Sequence, residues 1–150
     1  MRVFTGADEL RAAAGERLGV SDWMIIEQQR VNAFADATED HQWIHIDPQR
    51  AAAGPFGTTI AHGFLTLSLL PHLIDQTYRV EDTTMVINYG LNKVRFPTPV
   101  PVGSSVRAEV ALAEATEVTG GLQLVVRATL QIEGNAKPGC VADWVTRVYF

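Results

Sequence analysis

Asp40 and His45 stand five positions apart in D40-H-Q-W-I-H45, with a tryptophan and an isoleucine between them and Asp47-Pro48 directly after. A carboxylate and an imidazole together can take a proton and return it near neutral pH, and apolar neighbours strengthen that exchange by keeping water out. The plainer reading is that Asp40 caps a local turn and His45 bonds to a backbone group. The stretch G57-T-T-I-A-H-G63-F, just downstream, favours chemistry. Gly63 falls in the first turn of a strongly apolar helix, where glycine costs about 0.5–1 kcal/mol relative to alanine. A helix start carries unpaired N–H groups and partial positive charge, so a glycine there lets an oxyanion or a polarised carbonyl approach the backbone. Close helix–sheet packing accounts for the same glycine equally well.

Other chemistries are poorly served. His41 and His45 share the four-residue spacing of the zinc motif H-E-x-x-H, but position 42 is Gln, which cannot supply that motif's general base. The Asp47-Pro48 helix start also breaks any continuous helix, so no metal site is expected. Cys140, the only cysteine, opens a strand run with no activating partner in view, and there is no G-x-S-x-G elbow. Neither G-x-G-x-x-G nor G-x-x-x-x-G-K occurs, so no nucleotide cofactor is implied. His62 falls near the site, and His72 lies on a helix face.

Secondary structure must position these residues. Residues 7 to 14 predict a short helix ending near Gly15, and Val31, Phe34 and Ala35 recur at helical spacing in a segment that ends near Thr38. Asp47 is an N-cap with Pro48 at the first helical position of another short helix, which Gly54, Pro55 and Gly57 end. The segment T58-T-I-A-H-G-F-L-T-L-S-L-L-P-H-L-I-D-Q-T-Y-R79 is apolar around most of its circumference and predicts a buried helix, kinked at Pro71. After Asp82 the pattern changes to β-rich runs, T84-M-V-I-N-Y-G and N92-K-V-R-F followed by longer alternating ones, with a hairpin at Thr119-Gly120-Gly121. The first half reads as helical and the second as strands, an α+β fold with an antiparallel sheet against one buried helix.

Bulk properties set the limits. One domain is expected from 150 residues, long enough to bury about two thirds of the unfolded chain's surface. A net charge of −5 with no basic run argues against nucleic acid. No window of about 18 uncharged apolar residues is present. Charged residues interrupt the N-terminus, so neither a membrane span nor a signal peptide is expected. A cytoplasmic location is the expectation, with small molecules or proteins as partners.

Three blocks in order resemble a known family. F34-A-D-A-T-E-D40-H-Q-W-I-H45-I-D-P-Q-R-A-A-A, then F56-G-T-T-I-A-H-G63, then N92-K-V-R-F-P-T-P-V-P-V-G103, are similar to the MaoC-like dehydratases, the (R)-specific enoyl-CoA hydratases of hydratase 2 type. The resemblance covers roughly residues 20 to 105. It implies a hotdog fold, a long central helix wrapped by an antiparallel sheet, in a homodimer or higher homo-oligomer. It also implies hydration of a trans-2-enoyl-CoA thioester without metal or redox cofactor. Asp40 and His45 match the catalytic pair, and Gly63 matches the glycine whose N–H holds the thioester oxygen. Glu39, Gln42 and Trp43 stand where the family usually has Gly, Asn and Pro. Gln42, Trp43 and His62 are expected beside Gly63 in binding substrate, with Trp43 and Ile44 as a dry wall. The hotdog fold also serves thioesterases and acyl-binding proteins of nodulation N type. Many such thioesterases carry a carboxylate on the central helix, whereas this chain has no acidic residue from Ile60 until Asp75.

Overall fold

In the computed structural model, which describes residues 1–150, short elements lead into long ones. The chain runs β1 (Arg2–Phe4), α1 (Ala7–Ala12), β2 (Arg17–Val20), β3 (Met24–Ile25), α2 (Gln28–Thr38), α3 (Trp43–Ile46), α4 (Pro48–Ala52), α5 (Gly63–Ser68) and α6 (Leu70–Ile74). Then come β4 (Tyr78–Val80), β5 (Met85–Arg95), β6 (Ser105–Val118), β7 (Gly121–Ile132) and β8 (Cys140–Tyr149). The antiparallel sheet has the order β2-β6-β7-β8-β5, with β3 also paired to β6.

Alternation in the long strands decides which face is buried. Val106, Ala108, Val110 and Leu112 of β6 are fully buried, as are Leu124, Val126, Ala128 and Leu130 of β7. Against them pack Leu65 of α5, Leu69 at the junction, and Leu70, Leu73 and Ile74 of α6. Each such leucine contributes about 1.5–3 kcal/mol on leaving water. The hairpin forms at the expected turn: Val118 pairs with Gly121, and Gly120 adopts φ 81. Gly121 has its own reason, since a Cβ there would collide with the Val148 carbonyl oxygen.

Two expectations need correction, and one holds: the central helix breaks where Pro71 predicts a kink, into two short helices in tandem. Pro71 sits in the first turn of α6, where its missing N–H leaves the Leu67 carbonyl without an i+4 donor. The two runs around residue 90 are one strand, because register shifts between Asn88 and Gly90 and between Leu91 and Lys93 absorb the break in alternation. The N-terminal half is not all helix either: β2 and β3 pair with β6, and β1 pairs in parallel with β4. No helix is long and apolar enough to cross a membrane.

Candidate active site

Helix α2 ends at Glu39, whose left-handed backbone (φ 61, ψ 23) turns the chain sharply. Glycine makes such a turn at no steric cost, whereas a residue with a Cβ is strained there by roughly 1–2 kcal/mol. Asp40 follows the turn with its carboxylate about half exposed. Helix α3 then brings His45 inward, and Asp47 caps α4 as expected, its Oδ1 accepting from the Arg50 N–H at 3.0 Å.

Ile60 holds His45 in place. Its N–H donates to the Ile44 carbonyl at 3.0 Å, and its carbonyl oxygen lies 2.7 Å from His45 Nδ1. A carbonyl only accepts, so Nδ1 carries the proton and Nε2 presents a lone pair. His45 is 7% exposed, and burial holds its pKa below the usual 6.5 against the opposing pull of the Ile60 hydrogen bond. Neutral imidazole is the form that can accept a proton. Gln28 braces the same residue from behind: its Nε2 donates to the His45 carbonyl at 2.7 Å, and its Oε1 accepts from the Thr59 hydroxyl.

His62 is 2% exposed, and its ring stacks on that of His45 at 3.8 Å and 25°. Its Nε2 donates to the Asp40 backbone carbonyl at 2.9 Å and lies 3.9 Å from Asp40 Oδ2, while its Nδ1 has no partner. A carboxylate oxygen of Asp40 and one ring nitrogen from each of His45 and His62 lie within 4.8 Å of one another. The arrangement suits proton transfer.

A cavity of about 220 Å³ opens beside this cluster, lined by His45, Gly63, Thr66, Phe96, Thr98 and Val100 among others. Gly63 is the first residue of α5, so its N–H has no acceptor within the helix. The Thr66 hydroxyl donates to the Gly63 carbonyl at 2.6 Å, fixing the turn. The segment 59–61 runs beside 100–102, with Ala61 N–H donating to the Val100 carbonyl and Val102 N–H to the Thr59 carbonyl. That pairing draws the loop after β5 over the helix start.

The structure therefore brings Asp40, His45 and Gly63 to one site but distributes the other expected residues differently. His62 packs behind the dyad and does not line the cavity. Gln42 is exposed at the start of α3, and its backbone carries the contacts: its N–H lies 3.5 Å from Asp40 Oδ1 and its carbonyl accepts from His45 N–H. The Trp43 ring lies under the Arg50 guanidinium and against Gly54, away from the cavity. Two residues of helix separate it from His45, a rotation of about 200°, so the two side chains leave α3 on opposite faces. Trp43 and Ile44 are thus not the dry wall; Ile60, Phe96 and Val100 are. His41 turns outward to Asp36, 2.8 Å away. Burial raises the Cys140 thiol to about 11, an unreactive state. Sequence reasoning missed Gln28 and Thr98. Gln28 meets its partners 17 and 31 positions away, which no local spacing signals.

The MaoC like domain matches residues 9–135. The 3-hydroxyacyl-thioester dehydratase Z of Mycobacterium tuberculosis is 60% identical over 148 residues, 98% of each chain. Nodulation protein N of Rhizobium leguminosarum bv. viciae is 45% identical over 140 residues, covering 91% of this chain and 86% of that protein. Among solved structures, the (R)-hydratase from A. caviae involved in PHA biosynthesis superposes with a TM-score of 0.72 at 26% identity, over 87% of this chain and 95% of that one. With the MaoC like domain matched over residues 9–135, relatives aligned over nearly the whole chain and a hotdog architecture, the chain belongs to the MaoC-like dehydratase family.

Proposed function

We propose that the protein adds water to trans-2-enoyl-CoA thioesters to give (R)-3-hydroxyacyl-CoA, and runs the reverse dehydration, by acid–base catalysis at Asp40 and His45. The observation that carries this reading is His45, whose Nδ1 is tied to the Ile60 carbonyl so that Nε2 is left free, on a residue that lines a cavity shared with Gly63 and lies beside the Asp40 carboxylate. Water sits between the Asp40 carboxylate and His45 Nε2. As its oxygen bonds to C3, a proton passes to Nε2 and the C2=C3 electrons shift toward the thioester oxygen as an enolate. Asp40 stabilises the imidazolium, which returns a proton to C2. The Gly63 N–H stabilises the enolate oxygen, in a site where the apolar wall strengthens each charge interaction. Further along the central helices, Leu67, Leu70, Pro71, Leu91 and Trp144 border a largely apolar cavity of about 360 Å³ that offers room for an acyl tail.

The name 3-hydroxyacyl-thioester dehydratase Z, borne by a relative 60% identical, supports thioester chemistry in this sense. The test follows loss of enoyl absorbance on a chain-length series from crotonyl-CoA upward, with chiral analysis of the product. Turnover to the (R) product is expected. No turnover at any length would leave an acyl-binding role of nodulation N type.

The quaternary state belongs to the same proposal. Strand β5 is an eleven-residue sheet edge. It exposes Met85, Val86, Ile87, Tyr89 and Leu91. An apolar edge of that length invites pairing, and a second copy of the chain is the proposed occupant. Light scattering at micromolar concentration should give about twice the 16.4 kDa of one chain; a monomer mass would contradict it.

A further inference from the structure

Among the polar side chains lining the active-site cavity, Thr98 stands out because its hydroxyl oxygen is buried with no hydrogen-bond partner. The others are accounted for. Thr66 donates to the Gly63 carbonyl, and His45 Nδ1 donates to the Ile60 carbonyl, which leaves His45 Nε2 for the water. Buried polar groups are nearly always satisfied, so an orphan hydroxyl on a cavity-lining residue is a group whose bonding a ligand can complete. The backbone holds it there. Thr98 lies between Pro97 and Pro99, rings that fix φ on either side and confine Thr98 itself to extended conformations. Just beyond, the Val100 carbonyl is tied to Ala61 N–H at 2.8 Å, two residues before Gly63.

We propose that the Thr98 hydroxyl is a second hydrogen-bond donor to the thioester oxygen, acting with the Gly63 N–H on the developing enolate. This rests on the hydratase reading above. The attacking water is already held by Asp40 and His45, so the substrate group left without enough donors is the thioester oxygen. An enolate oxygen has lone pairs for two donors, and a pair of fixed donors is a recurrent way to stabilise one. Thr98 would touch the substrate and is in that sense catalytic.

The experiment compares Thr98→Val and Thr98→Ser with wild type for kcat, KM and Tm on the best enoyl-CoA of the chain-length series. Valine keeps the shape and removes the hydroxyl. It should lower kcat by roughly 10- to 100-fold with a smaller change in KM, because the lost bond is strongest when charge develops. Its Tm should equal or exceed that of wild type, since an unpaired buried hydroxyl has been removed. Serine keeps the donor and should retain most of the rate. Wild-type kcat in a folded valine variant, or equal losses in valine and serine, would overturn the assignment to Thr98 and leave the hydratase reading intact. A wild-type protein with no turnover would overturn both.

Discussion

Asp40→Asn and His45→Gln should each lower kcat by about 100-fold or more while the protein stays folded. The side chains chosen preserve shape and contacts. Asparagine matches aspartate in size at a half-exposed position, and the glutamine amide can still donate to the Ile60 carbonyl that now receives the His45 Nδ1 proton. What each loses is the ability to take up or stabilise a proton. A folded variant of either kind with near wild-type kcat would remove that residue from the mechanism. The wild-type pH profile adds a second readout. Burial lowers the His45 pKa below 6.5, so the base stays neutral through neutral pH and kcat/KM should fall only on an acid limb lying below that value. The same shift links pH to stability. Between the depressed folded value and 6.5 the unfolded chain binds more protons at this site, so stability should fall as pH drops through that window. His45→Gln should lose this component of the acid sensitivity.

Local signals carried much of the fold, and non-local ones explain what they missed. Asp47-Pro48 is a cap in the structure because its chemistry is complete within four residues, from Asp47 Oδ1 to Arg50 N–H. The strands from Ser105 onward were legible because each alternates long enough to declare its buried face. By contrast, Met24–Ile25 is a strand only because β6 offers it an edge 80 positions later, and nothing in two residues announces that. Asp40, His45 and Gly63 were legible as residue types able to do chemistry, and the fold gathers them. Their orientation was not: whether Trp43 faces the cavity depends on which side of a four-residue helix meets the sheet, and the Arg50 and Gly54 contacts that decide it form only in the folded chain. Thr98 gave no sequence signal beyond its two flanking prolines, because a missing partner can be seen only when all the neighbours are in place.

Gly63→Ala should lose kcat by about 10- to 1000-fold with a Tm close to that of wild type. In the sequence, this glycine answered equally to a ligand and to close packing of helix on sheet. The structure changes that balance. The three atoms nearest a Cβ at Gly63 belong to the Phe96 ring, at 3.0–3.1 Å, rather than to sheet backbone. Phe96 is 42% exposed, and its ring packs edge-on against Phe64, itself 68% exposed, with centroids 6.2 Å apart. A ring with solvent on one side can shift by the few tenths of an ångström needed, so the methyl should cost the fold little, and alanine's helix preference of up to about 1 kcal/mol works in its favour. For a ligand the consequence is opposite. Gly63, Phe96 and Thr98 line the same cavity, so the methyl and the displaced ring both enter the space from which a thioester oxygen must reach the Gly63 N–H. If packing were the glycine's purpose, an immovable contact should cost roughly 1–3 kcal/mol and leave the chemistry alone. A depressed Tm with normal specific activity in the folded fraction would therefore sink the oxyanion role, whereas a stable, slow enzyme would tie the cost of glycine at this helix start to its substrate.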